Sequence, residues 1–144
     1  MSYAIDVNVL LYASDASSPR SAAARAFLER AAQGGEVLCL AWTTLMAYLR
    51  IATHPGIFAH PLAPEEAMGN LDALLTRPHV RVLAEEEGFW RVYRDTARAL
   101  PVRGNFVPDA HLAALLRQHG IRRLYTSDAD FRKFPFLDVQ SPFV

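Results

Sequence analysis

Residues 3–8, Tyr3-Ala4-Ile5-Asp6-Val7-Asn8, join a short, β-prone apolar run to an acid. A buried strand stops in this way where its carboxyl end meets a polar crevice, and open α/β sheets bind their ligands in that crevice. Outward from this strand, helix and strand patterns alternate. Ser18 and Pro19 make a helix start, Ala24, Phe27, Leu28 and Ala31 fall at i, i+3, i+4 and i+7, and Gly34-Gly35 end the pattern. Residues 36–41 form an apolar run of strand length between glycines and Thr43-Thr44. Thr44 is expected to cap a helix with Leu45, Tyr48, Leu49 and Ala52 on one face, ended by His54-Pro55-Gly56. Pro64-Glu65-Glu66 opens another, with acids in the positive first turn and Ala67, Leu71, Leu74 and Leu75 on one stripe, ending near Arg77-Pro78.

Val80–Leu83 then alternates as a short strand. Glu85-Glu86-Glu87 charges the start of a helix bearing Phe89, Tyr93, Ala97 and Leu100, with Pro101 and Gly104 at its end. Residues 109–119 make a further helix with Gly120 as C-cap, and residues 124–126 a strand before Asp128. This alternation predicts an α/β sandwich with a mainly parallel sheet and an acidic crevice at the strand C-terminal ends, in a single domain over residues 1–144.

Composition bounds the partners. The chain has 144 residues, 51% hydrophobic and 21% charged, with fifteen basic against fifteen acidic side chains. That size supports a core without disulfides or structural zinc, and Cys39, the lone cysteine, allows no internal disulfide. With no basic leader before the first apolar run, and with Asp6 and Asn8 interrupting it, a cytoplasmic location is expected. No stretch approaches the roughly 20 apolar residues of a membrane helix. A net charge of zero excludes a global basic field, so a polyanion must meet a local patch of arginines.

Three segments join a strand end or helix start to an acid: Ile5-Asp6-Val7-Asn8, Val107-Pro108-Asp109-Ala110, and residues 125–131 with Thr126, Asp128 and Asp130. In a parallel sheet such acids converge on one edge. Gathered carboxylates raise one another's pKa unless a cation compensates, and an all-oxygen set favours Mg²⁺ or Mn²⁺. Such an ion lowers the pKa of a coordinated water and stabilises in-line displacement at phosphorus, which is metal-assisted phosphodiester hydrolysis. Each acid also has a plainer reading. Asp109 alone reads as a helix cap, Asp128 and Asp130 as an Asx turn, and Asn8 as a hydrogen-bond partner of the first loop. The five histidines show no zinc-like spacing, and Trp42 and Trp90 read as core.

At these residues the chain resembles the PIN-domain ribonucleases and, within them, the VapC-type toxins of bacterial toxin–antitoxin pairs. Residues 6–13 resemble the family's opening D-x-N-x-L-x-Y-A, residues 109–114 its D-A-x-L-A-A, and residues 126–131 its T-x-D-x-D-F. Tyr48-Leu49-Arg50-Ile51-Ala52-Thr53-His54-Pro55 is similar to one branch of these toxins. The resemblance implies an α/β/α sandwich and a Mg²⁺-dependent endoribonuclease, with Mn²⁺ as substitute, that cleaves tRNA, rRNA or mRNA and arrests translation. It also implies a homodimer neutralised by a cognate VapB-type antitoxin. Asp6, Asp109 and Asp128 then become catalytic residues and metal ligands, with Asn8, Thr126 and Asp130 in support.

The chain departs from the family once: a glutamate usual on the helix after the second strand is Ala47. A natural branch using Asp130 or ordered water, an engineered inactivation, or a domain that binds without cutting would each account for it. The alternative to the nuclease is therefore a weakened PIN domain acting as an RNA- or protein-binding module. Arg50, one helical turn from Ala47, and Arg103 are candidate RNA contacts, and Arg132 and Lys133 flank the last motif. Arg50 reads equally as a solvent-facing arginine or the ion-pair partner of an acid. The apolar helices near residues 67–75 and 89–100 offer a dimer face or an antitoxin groove, and core burial explains them equally. A haloacid-dehalogenase-type hydrolase requires an acid two residues after the nucleophile, where Asn8 stands, and no Gly-rich turn supports a dinucleotide fold.

Overall fold

The computed structural model describes residues 1–143. Five strands, β1 (Ser2–Ile5), β2 (Val37–Ala41), β3 (Val80–Leu83), β4 (Arg123–Tyr125) and β5 (Asp138–Gln140), form one sheet in the order β3-β2-β1-β4-β5. Every pairing is parallel, with Ala4 opposite both Cys39 and Leu124. The α-helices are α1 (Val7–Ser14), α2 (Ser21–Gln33), α3 (Trp42–Ala52), α4 (Pro64–Leu75), α5 (Phe89–Ala97) and α6 (Val107–Gln118).

Strand residues alternate between two cores, which is why their sequences read as continuous apolar runs. Tyr3, Ile5, Leu38 and Leu40 pack with α1, α3 and α4 on one face. Ala4, Cys39, Ala41 and Leu124 pack with the apolar side of α6, including Ala113 and Leu116, on the other. The expected sandwich with helices on both faces is therefore present. From β1 the chain winds outward to β2 and β3, then returns to β4 and β5 on the opposite side. Between β1 and β4 the strand order reverses, and the crevice outside their carboxyl ends is where such sheets bind ligands.

Several local expectations shift. A helix, α1, starts directly after β1 with Asp6 as its N-cap. Its eight residues are largely apolar and carry no polar face to announce a helical period. Helix α3 likewise follows β2 without a loop, so Ala41 holds the N-cap position and Thr44 is buried in the first turn rather than capping it. The three glutamates lie ahead of α5, which begins after Gly88 in the left-handed region (φ 81°). Glu85 instead meets His111, with Oε1 2.6 Å from Nε2. Helix α6 ends as expected: Gly120 has φ 72°, and the Ile121 and Gly120 N–H groups donate to the Leu116 and Arg117 carbonyls in a Schellman arrangement. Strand β5 was not anticipated, because Asp138-Val139-Gln140 has one apolar residue and owes its form to pairing with β4.

Leu124 is fully buried at the centre of β4, under the strand end that carries the acids. Leu124→Ala is expected to cost about 2–5 kcal/mol, seen as a lower urea midpoint at unchanged slope.

Candidate active site

Asp6 is placed by the ladder itself: its N–H donates to the Tyr125 carbonyl at 3.0 Å, extending the β1–β4 pairing one residue past the strand. Its Oδ1 accepts the Val7 N–H (2.7 Å) and its Oδ2 the Thr126 hydroxyl (2.9 Å). Thr126, 3% exposed, gives its only proton to Asp6 and accepts from Asn8 Nδ2 (3.1 Å) and from the Asp128 N–H (3.0 Å). This fixes the Asn8 amide with its nitrogen toward Thr126 and Asp6, and leaves the buried Asn8 Oδ1 without a hydrogen-bond partner.

Asp128 caps a 3₁₀ turn over Ala129–Lys133, its Oδ1 accepting the Asp130 N–H at 2.9 Å. The Asx turn foreseen as the plain reading is thus real, and it aims two acids at the same space. Asp109 stands in the first turn of α6, which starts two residues before it, and the helix has no side-chain cap. One carboxylate oxygen from each of Asp109, Asp128 and Asp130 lies within 4.8 Å of the others. Asp6 is outside this compact group, but its charge reaches Asp109. Asp109, Asp128 and Asp130 open on a cavity of about 440 Å³ that Asn105, Phe106 and Lys133 also line.

Electrostatics record the crowding. Burial, then the charges of Asp128, Asp6 and Asp130, push the Asp109 carboxyl up to about 6. Asp6 is raised as well, chiefly by burial and further by Asp128, against the bonds from Thr126 and Val7 that favour its charge. An oxygen-only donor set under mutual repulsion, with an orphaned amide oxygen behind it, fits a hard divalent cation. His111, although two residues from Asp109, is turned to Glu85 and takes no part.

The remaining sequence candidates, Ala47, Arg50 and Arg103, lie outside the cavity lining. Ala47 is half-buried on α3, and Arg50 is exposed in its last turn. Arg103 is exposed at the start of the 3₁₀ turn Gly104–Phe106, just before α6. Among the described residues neither arginine forms an ion pair or lines the acid cavity. Lys133 lines it, with Nζ 3.4 Å from Asp130 and 5.2 Å from the Phe106 ring centre. Asn105 and Phe106 precede Asp109 in the chain but carry no motif of their own; they meet Asp128 and Asp130 because the start of α6 faces the turn that follows β4.

Asp109 also links pH to stability. Its folded pKa lies above the ordinary carboxylate value, so its favourable contribution is complete below about 4 and is lost as pH rises to about 6. Asp109→Asn is therefore expected to raise the melting temperature of metal-free protein at pH 7 and to leave it nearly unchanged at pH 4. Thermal melts in EDTA at the two pH values check this; equal shifts at both would contradict it.

A family model described as PIN domain matches residues 3–137. Ribonuclease VapC48 of Mycobacterium tuberculosis is 45% identical over 143 residues, 99% of each chain. Ribonuclease VapC43 of the same organism is 35% identical over 138 residues, 96% of this chain and 93% of the relative. Among solved structures, VapC20 of M. tuberculosis, described as a sarcin–ricin loop cleaving toxin, superposes with a TM-score of 0.69 at 19% identity, covering 96% of this chain and 98% of that one. VapBC2 of Rickettsia felis bound to promoter DNA gives 0.69 at 18% identity, with 98% of each chain covered. At these identities the two structures speak for the fold.

Proposed function

Since the chain belongs to the PIN-domain family, among the VapC ribonucleases, we propose that it is a metal-dependent endoribonuclease toxin that hydrolyses RNA phosphodiester bonds. The observation that carries this reading is the gathering of Asp109, Asp128 and Asp130, with Asp6 bonded behind them, where the strand order reverses. Asp6, Asp109 and Asp128 hold the ion, Mg²⁺ with Mn²⁺ as substitute. When bound, the ion supplies Lewis acidity at phosphorus and a nucleophilic water near neutral pH. Asp130 brings a further carboxylate to the cluster that Ala47 leaves one acid short, which favours cleavage over a binding-only module.

The chain's own residues set the geometry. Thr126 and Asn8 hold the Asp6 carboxylate in one orientation, and the turn after Asp128 sets Asp130 on the cavity wall. Arg50 and Arg103, both exposed, make RNA contacts outside the acid cavity. No helix among the described residues is long and apolar enough to cross a membrane. In this reading the toxin acts in the cytoplasm as a homodimer, cleaves a tRNA, rRNA or mRNA to arrest translation, and is neutralised by a VapB-type antitoxin.

Purified protein freed of antitoxin is expected to cut structured RNA in Mg²⁺ or Mn²⁺, with activity abolished by EDTA and by Asp6→Asn. Intact RNA together with absent metal binding would instead support the binding module. Thr126→Val, which removes the hydroxyl while keeping the shape, is expected to lower metal affinity or activity roughly 10–100-fold, measured by metal titration beside the cleavage assay. An unchanged affinity and rate would remove Thr126 from the site.

A further inference from the structure

Asp128 lines two cavities. Beside the acid cavity lies a second, of about 250 Å³, bordered by Arg20, Thr126, Ser127, Asp128, Arg132 and Phe143. Arg20 arrives from the start of α2, and Arg132 from the turn that follows Asp128. Among the described residues neither guanidinium has an acidic partner, whereas the neighbouring Lys133 is paired with Asp130. Arg20 is nonetheless held in place: its guanidinium lies 5.5 Å from the Tyr12 ring centre and 5.1 Å from that of Phe143. Those two rings meet edge-on at 5.6 Å.

An arginine stacked on aromatic faces keeps its N–H edge for a planar or tetrahedral anion, and stacking limits the rotamer freedom it would lose on binding one. Arg20, so stacked, and Arg132 beside a single carboxylate leave this cavity locally positive, next to a cavity dominated by three acids. We propose that Arg20 and Arg132 form a phosphate subsite that grips the RNA backbone beside the scissile bond, so that the strand passes over Asp128 from one cavity into the other. This rests on the nuclease reading and adds to it the side of the crevice by which the substrate is held. The hydroxyl of Ser127, on the same wall, is a further donor to a phosphate oxygen.

The test is the salt dependence of binding. A fluorescein-labelled single-stranded RNA is titrated with the Asp6→Asn protein in Mg²⁺ across a range of salt, alone and with Arg20→Ala, Arg132→Ala or both. Each substitution is expected to lower affinity about fivefold at 0.1 M salt and to reduce the slope of log K against log salt by about 0.7, and the pair by about 1.4. Arg20→Lys should restore most of the slope, and Arg91→Ala, which lines neither cavity, should leave it unchanged. A merely structural role for the Arg20 stack would lower the melting temperature without moving the slope. Arg132 stacks on no ring among the described residues, so its variant keeps the test open should Arg20→Ala fail to fold. RNA binding with unchanged slopes in both single variants overturns the subsite and leaves the nuclease standing. A wild-type protein that neither cuts nor binds RNA overturns both.

Discussion

One hydroxyl proton organises the acid crevice. Thr126 Oγ1 can donate once, and that donation goes to Asp6, so its lone pairs face the Asn8 amide and the Asp128 N–H. The end of β1, the first turn of α1 and the turn after β4 are thereby locked to one atom. Asp6 Oδ2 closes the same triangle, accepting from both Thr126 Oγ1 and Asn8 Nδ2. Because Thr126 itself is almost fully buried, water has little access to its hydroxyl.

Around that node the protein tolerates an unfavourable charge arrangement. Four carboxylates share one sheet edge, and burial and mutual repulsion hold Asp109 and Asp6 above their ordinary range. Groups that destabilise the empty fold and are relieved by a cation behave as a binding site does, since stability lost without the ion returns as affinity for it. The Asx turn at Asp128 brings Asp130 to the cluster, whose donors are all oxygens.

Cations are distributed as sparingly as the zero net charge requires. Lys133 is committed to Asp130 on one side of Asp128, while Arg20 and Arg132 stand uncommitted on the other. The field at the crevice is therefore a sharp local gradient, with little long-range steering. Aromatic side chains hold both kinds of cation: Phe106 under Lys133, and Tyr12 with Phe143 around Arg20.

The sequence by itself determined strands β1 to β4, helices α2 to α6, and the acids that end or open them, because these features are written locally. Apolar period, glycine and proline stops and acids at element ends are properties of neighbouring residues. Helix α1 was hidden by its lack of a polar face, and β5 by a composition that becomes a strand only through its pairing with β4. The tertiary structure alone decided that Asp130 joins Asp109 and Asp128 while Asp6 stands behind, held by Thr126. It also decided that Arg20, far from the motif in sequence, comes to the cavity beside Asp128, while Arg50, prominent in sequence, lines neither cavity. The reason is physical: which side chains face a crevice is set by sheet order and the angle at which each turn leaves its strand, and both are long-range quantities that no local pattern encodes.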